Sequence, residues 1–327
     1  RRRGVTALLL RAVGPAANRL AGSDLETLRH QSRPARTKHF QSLTNLMRAV
    51  GESRVPVVAA FSGVVSGCAL GLTSHATFSV ATERSVISLP GPAHGYVPES
   101  FSLYHLARLP HALGKYMALT GAALTGAELR AVGLATHLTE SQVLPNLIDN
   151  ISFQASQNAV ALSNALDDAC IPPKLEHFCE HHALHFRSQI EDCFSQDGLV
   201  EVMSALQRGN TPWHAQVLQV LRASSPLALQ LTFGALQRAA SASCWSECLR
   251  QEAQLCSALI ASNDFKRGFN DLQVAKRALR IEAHDAQELN EDLEADMQWE
   301  PNAEWEHSSL ERLTPELLQY YLSPSNS

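Results

Sequence analysis

Charge is scarce in this chain of 327 residues: Asp, Glu, Lys and Arg make up 18%, against about 25% in an average soluble domain. A surface with so few charges is expected to be largely covered by partners. The net charge of −5 excludes a protein that coats nucleic acid by bulk positive charge. Paired cysteine spacings are lacking too. Seven cysteines, an odd and scattered number, do not build the disulfide framework of a small secreted domain and fit a reducing compartment. No internal repeat with a period of about 20–50 residues occurs, which excludes solenoids and propellers. What the chain does have is apolar mass. Hydrophobic residues reach 45%, enough for a sizeable core and too many for wholesale disorder.

The few charges are unevenly placed. Residues 1–50 carry ten Lys/Arg against Asp24 and Glu26, a local +8, and residues 281–327 carry twelve Asp/Glu against Arg312, a local −11. Ends of opposite sign pair with each other or serve separate partners; the plain alternative is two solvated surfaces. Arg1-Arg2-Arg3 is compatible with the remnant of an Arg-rich import segment.

One stretch, Val55 to Thr82, has no Asp, Glu, Lys or Arg and is long enough to span a bilayer. Gly63, Gly67 and Gly71 repeat the spacing of packed membrane helices. Pro56, Ser62, Ser66, Thr73, Ser74, His75 and Thr77 dilute the run, and β-rich Val55–Phe61 ends at Ser62-Gly63. The stretch therefore predicts a soluble strand, glycine turn, helix from Gly67 to about His75, and strand Thr77–Thr82. Strands are also expected at Val5–Val13, Val86–Pro90 and Thr136–Thr139. Ala21–Asp24 reads as a loop whose Ser23 or Asp24 caps the next helix. Phe40, Leu43, Leu46, Met47 and Val50 recur at helical spacing, which predicts a helix over His39–Glu52. Helices are expected at Ser102–Leu109, Gly114–Thr120, Gly126–Val132, Leu199–Arg208, Trp213–Ala223 and Leu227–Ala240. Alternating strands and helices to about residue 142 mean an α/β architecture with parallel pairing. Residues 143–280 then read as a helical region and 281–327 as an acidic tail whose Trp299, Trp305, Tyr320 and Tyr321 are expected to pack onto something.

Three stretches, in order, carry a family likeness: Ala21-Gly22-Ser23-Asp24-Leu25; Ser62-Gly63-Val64-Val65-Ser66-Gly67-Cys68-Ala69-Leu70-Gly71-Leu72; and Leu89-Pro90-Gly91-Pro92-Ala93-His94-Gly95-Tyr96-Val97-Pro98-Glu99. Together they resemble the crotonase superfamily of CoA-thioester enzymes, whose patterns run A-G-G-D-[IL], H-G-x-x-x-G-G-G-x-x-L and P-E-x-x-x-G-[LF]-x-P-D. Ala118-Leu119-Thr120-Gly121, Gly133-Leu134-Ala135-Thr136-His137, Cys193-Phe194-Ser195, Ser225-Pro226 and Asn263-Asp264-Phe265 are similar to its 3-hydroxyisobutyryl-CoA hydrolase branch, from about residue 5 to 270. The family's first strands are missing from the front. The resemblance implies a ββα spiral core followed by a C-terminal helical region. It also implies thioester hydrolysis, with backbone N–H groups forming an oxyanion hole and carboxylates handling protons and water.

Position by position, that chemistry is eroded. The pattern's glutamate falls on Gly91, which has no side chain to accept a proton. Its aspartate falls on Glu99, one methylene longer, and misplacement by about 1 Å already costs about a hundredfold in rate. Glu99 is then a weak lone base or, more plainly, a solvated or ion-paired surface acid. The remnant oxyanion and CoA pocket comprises Ala21, Gly22, Gly67 and Cys68, with Cys68 and Ala69 replacing glycines that let a ligand approach the backbone. Cys68 at a helix start has the setting of a nucleophile, but a small buried side chain is the commoner role. Phe101 brings bulk into a family glycine-rich run, and Arg267 and Asn270 replace an acid and an arginine. His177, Cys179, His181, His182 and His185 are of types that bind zinc; without a paired C-x-x-C they are expected to hold no metal. Cys244 and Cys248 are expected to be packing residues on one helix face.

Retained apolar scaffold with lost functional groups implies a catalytically inactive scaffold. Relatives of this hydrolase branch serve as structural proteins of the mitochondrial ribosome small subunit. The resemblance thus implies a matrix location, mitochondrial ribosomal proteins as neighbours, and RNA contacts from Arg1, Arg2, Arg3, Arg33, Arg36 and Lys38. No cofactor, no membrane contact and no CoA ester binding are expected. Two alternatives remain open: an active 3-hydroxyisobutyryl-CoA hydrolase using Glu99, and an acyl-CoA-binding regulator.

Overall fold

The computed structural model describes residues 4–13, 19–155, 157–173, 182–270, 305 and 309–322. Contacts group the chain into two interleaved units, one from 1–22, 45–88 and 124–185, the other from 23–44, 89–123 and 186–327. In chain order the first helices are α1 Leu25–Arg29, α2 Arg33–Gly51, α3 Cys68–Ser74, α4 Leu103–Leu106, α5 Leu113–Thr120, α6 Gly126–Ala131, α7 Leu144–Ala155 and α8 Ala159–Asp168. They are followed by α9 Arg187–Phe194, α10 Leu199–Arg208, α11 Pro212–Ala223, α12 Pro226–Ser241 and α13 Trp245–Leu259.

The first unit is built on two four-stranded sheets. Strands β1 Leu8–Arg11, β3 Val57–Ala60, β5 Phe78–Thr82 and β8 His137–Thr139 form one, in the order β1-β3-β5-β8 and parallel throughout. Strands β2 Arg19–Leu20, β4 Val64–Val65, β6 Val86–Ile87 and β7 Leu124–Thr125 form the other. Each successive pair, β1/β2, β3/β4 and β5/β6, adds one strand to each sheet, which is the expected ββα spiral. All four residues of β3 are buried, the signature of a strand covered on both faces. Val58, Ala60 and Val80 pack with Leu147, Ile148 and Ile151 of α7 and Leu162, Ala165 and Leu166 of α8.

Several expectations need correction. Pairing is not wholly parallel, because β6 and β7 run antiparallel. The two-residue strands β2, β4 and β7 gave no apolar run long enough to register, and the strand expected at Val86–Pro90 stops at Ile87. Helix α2 begins at Arg33, six residues ahead of His39, with Pro34 in its first turn where a missing N–H costs nothing. The helix expected at Ser102–Leu109 is the single turn α4, followed by a 3-10 turn Pro110–Ala112 whose His111 and Ala112 have φ 56° and 54°. No helix among the described residues is long and apolar enough to cross a membrane.

The second unit is helical around α12, where Leu227, Leu229, Leu231, Phe233 and Leu236 are all buried. Arg108 closes the C-terminal end of α12: its guanidinium donates to the Ala239 and Ala242 carbonyls at 2.8 and 3.0 Å and stacks 3.5 Å over the Tyr104 ring. From the acidic tail, Trp305 Nε1 donates to the Ala223 carbonyl at 3.1 Å, and the helix Pro315–Leu322 packs on α13. Trp299 lies outside the described residues.

Candidate functional site

In the first unit, register brings two motif loops together. Arg19 pairs with Val64 and Leu20 with Val65, and the Ser66 N–H donates to the Leu20 carbonyl at 2.9 Å. The loops leaving β2 and β4 therefore run side by side. A Cβ on Gly22 would stand 3.0 Å from Gly67 Cα and 3.2 Å from the Cys68 nitrogen, so glycine lets the two main chains meet without either being pushed back. Gly67 caps α3 with φ 58°, a conformation that favours glycine. Gly22, Gly67 and Cys68 are thus neighbours through their backbones, and Ala21 directly precedes Gly22 in the same loop. Cys68 is half-buried at the first position of α3.

In the second unit, the position of the pattern's glutamate is closed. The Gly91 carbonyl accepts the N–H groups of His94 and Tyr96, both at 2.9 Å, which folds 91–96 into a tight loop. The following backbone then passes over Gly91. A Cβ there would lie 2.6 Å from the Val97 carbonyl carbon and 2.7 Å from the Pro98 nitrogen. Gly91 has an ordinary helical φ of −50°, so it is steric room, not backbone conformation, that requires glycine. The loop is secured by distant residues that also carried the family likeness. Ser225 caps α12, donates to Asp264 Oδ2 at 2.5 Å, and donates its N–H to the Pro92 carbonyl. Gly95 and Gly268 permit contact so close that a Cβ would stand 2.4 Å from the Asp264 oxygen and 2.5 Å from the His94 carbonyl carbon.

Glu99 is not a surface acid. It is 5% exposed and accepts a hydrogen bond from the Ser23 hydroxyl. His39 Nε2 of α2 lies 2.8 Å from the same hydroxyl oxygen. Burial holds the His39 imidazole below its ordinary pKa, which favours the neutral ring. A loop side chain, a helix side chain and a carboxylate are thereby joined in one polar chain. The preceding expectation failed because sequence shows that Glu99 is ionisable but not what surrounds it.

The loop after Glu99 is held by a carboxylate that sequence reasoning missed. Glu252 of α13, 2% exposed, accepts the Leu103 N–H at 2.9 Å and the Ser100 hydroxyl at 3.4 Å. Burial pushes its pKa up to about 8, opposed by hydrogen bonds from Leu103, Phe101, Ser100 and Ser102. A signal existed: Glu252 falls in the stripe Cys248, Leu249, Leu255, Cys256 and Leu259, all buried. Phe101 in this loop is fully buried at φ 51°, so a bulky side chain now occupies a backbone conformation that suits glycine.

Residues 2–298 match the family model described as enoyl-CoA hydratase/isomerase. The chain belongs to that family. Among curated relatives, an Arabidopsis thaliana protein named probable 3-hydroxyisobutyryl-CoA hydrolase 2 is 32% identical over 68% of this chain and 60% of its own length. The human mitochondrial 3-hydroxyisobutyryl-CoA hydrolase is 28% identical over 78% of this chain and 67% of its own. The match thus covers about two thirds or less of these relatives. A crystal structure of a carnitinyl-CoA dehydratase from Mycobacterium thermoresistibile superposes with TM-score 0.77 at 23% identity, covering 98% of this chain and 83% of that one. The crotonase fold with its helical C-terminal region is therefore the fold of this family member, and its likeness to 3-hydroxyisobutyryl-CoA hydrolases holds across most of the chain.

The remaining sequence-flagged residues are dispersed. Arg33 and Lys38 are exposed on α2, while half-buried Arg36 donates to the Gln31 carbonyl at 3.1 Å. Arg1, Arg2 and Arg3 lie outside the described residues, as do His177, Cys179 and His181. Among the described residues no group of three or more His, Cys, Asp or Glu is placed to hold a metal. Cys248 is a packing residue, but Cys244 is exposed at the N-cap of α13, because the helix starts one residue after it. Asn270, where the family pattern has arginine, accepts a hydrogen bond from Arg29 at 3.1 Å.

Proposed function

We propose that this family member has given up paired-carboxylate thioester hydrolysis and acts as a structural protein of the mitochondrial ribosome small subunit. The observation that carries the loss of chemistry is Gly91: the side chain is missing and the Val97–Pro98 backbone fills its place. Cooperating catalytic groups act as a unit, so losing one of two removes far more than half of the rate. The mitochondrial setting is supported by relatives named as mitochondrial. The scaffold role is supported by the scarce surface charge and the opposite charges of the two ends, with ribosomal proteins as neighbours in the matrix and Arg33 and Lys38 facing RNA. The test has two arms. Purified chain given 3-hydroxyisobutyryl-CoA should show no continuing CoA release, at most a single equivalent per chain, and the chain in a mitochondrial lysate should sediment with small ribosomal subunits in moderate salt. A free light peak would remove the ribosomal assignment.

A second reading, active hydrolysis on Glu99 alone, is favoured by the burial of that carboxylate against Ser23. Turnover in the ordinary enzyme range of about 1–1000 per second, abolished in Glu99→Gln, would establish it instead.

A further inference from the structure

The chain Glu99, Ser23, His39 has the parts of an activated hydroxyl. The Ser23 proton points at the Glu99 carboxylate, a base that can take it. With that proton committed, a Ser23 lone pair faces His39 Nε2 at 2.8 Å, which assigns the ring proton of a neutral His39 to Nε2. His39 then donates to the Ser23 oxygen and fixes its direction. A base within hydrogen-bond reach of a hydroxyl is the arrangement that activates a weak nucleophile. Ser23 is half-exposed while Glu99 is buried, so of this bonded pair the hydroxyl is the member open to a reagent. Neither Ser23 nor His39 belongs to the carboxylate pair whose loss Gly91 records.

We infer that Ser23 is an acyl-accepting nucleophile, and that this chain takes an acyl group from a short acyl thioester onto the Ser23 oxygen. Glu99 removes the Ser23 proton as the oxygen bonds to the thioester carbonyl carbon. The His39 Nε2–H holds the Ser23 oxygen in place beside Glu99 before the attack, and the negative charge passes to the carbonyl oxygen as the C–O bond forms. The carbon–sulfur bond then breaks, and the departing thiolate leaves with the proton that Glu99 took. Nothing is oxidised or reduced: one C–O bond replaces one C–S bond, and the products are a seryl ester and a free thiol. That the ester persists rests on the reading above, since the carboxylate that would help activate a hydrolytic water is gone at Gly91.

The test is intact-mass analysis of the full chain after incubation with isobutyryl-CoA, with released thiol measured in parallel. The expected result is one acyl group per chain, one equivalent of thiol, and peptide mapping of the ester to Ser23. Ser23→Ala should lose the adduct, Ser23→Cys should regain it as a thioester, and Glu99→Gln should slow its formation at least tenfold. Continuous thiol release that depends on Ser23 would keep the nucleophile and overturn the loss of hydrolysis. No adduct and no thiol release, an adduct on a cysteine, or thiol release unchanged in Ser23→Ala would each overturn the nucleophile.

Discussion

The Ser23 hydroxyl donates a hydrogen bond to Glu99, and both residues depart from the family pattern: Ser23 stands where A-G-G-D has its second glycine, Glu99 where the last aspartate stands. The added hydroxyl and the lengthened carboxylate meet each other. One departure therefore supplies a donor to the other, and hydrogen bonding to a buried carboxylate offsets part of its burial cost. A double-mutant cycle measures this pairing. Ser23→Ala and Glu99→Ala, alone and together, should show a coupling of about 1–3 kcal/mol in urea denaturation. Additive losses would mean that the hydrogen bond is not formed in solution.

Restoring the missing acid should not restore the enzyme. Gly91→Glu must displace the Val97–Pro98 backbone, whose atoms stand 2.6–2.8 Å from the new Cβ. The expected result is a destabilisation of about 1–3 kcal/mol, typical of overpacking, with no gain in CoA release from 3-hydroxyisobutyryl-CoA. Gly91→Ala should show most of the same loss, because the clash is at Cβ. Thermal unfolding of the two variants beside the parent chain measures it.

Glu252 gives the stability a pH dependence of known sign. Its folded pKa of about 8 lies above the ordinary value of 4.5, so the folded chain holds a proton that the unfolded chain releases. Its contribution is fully present below about pH 4.5 and is lost as pH rises through 8. Across that window the slope from this residue is about −1.4 kcal/mol per pH unit. Glu252→Gln keeps an acceptor for the Leu103 N–H and should flatten the profile between pH 5 and 8. Identical slopes in parent and variant would show that Glu252 is ionised in the fold.

Much of the spiral was legible because its signals are local. The wholly buried β3, the glycine turn into α3, and the apolar periodicity of α10 to α12 each announce themselves within a few residues. Short pieces were not legible: β2, β4 and β7 have two residues each, and a pair of residues has no period. The polar first turns of α2 gave no apolar periodicity to read either. At the site, the sequence located every eroded motif position but not its surroundings. Glu99 read as a surface acid and is buried; Cys244 read as a packing residue and is exposed. Glu252 carried a readable signal, an acid on an apolar helix stripe, and its task was invisible because its partners lie 149 and 152 residues away.

The order of residues alone determined the family likeness, the alternation of strands and helices, and the absence of a carboxylate at Gly91, because these depend on identity and near spacing. Only the tertiary structure decided that Gly91 is closed over, that Ser23 and His39 attend Glu99, and that Glu252 holds the neighbouring loop. Burial and hydrogen-bond partnership are set by backbone passing at a distance along the chain, and there the close packing of the fold, not the sequence neighbourhood, fixes what each side chain meets.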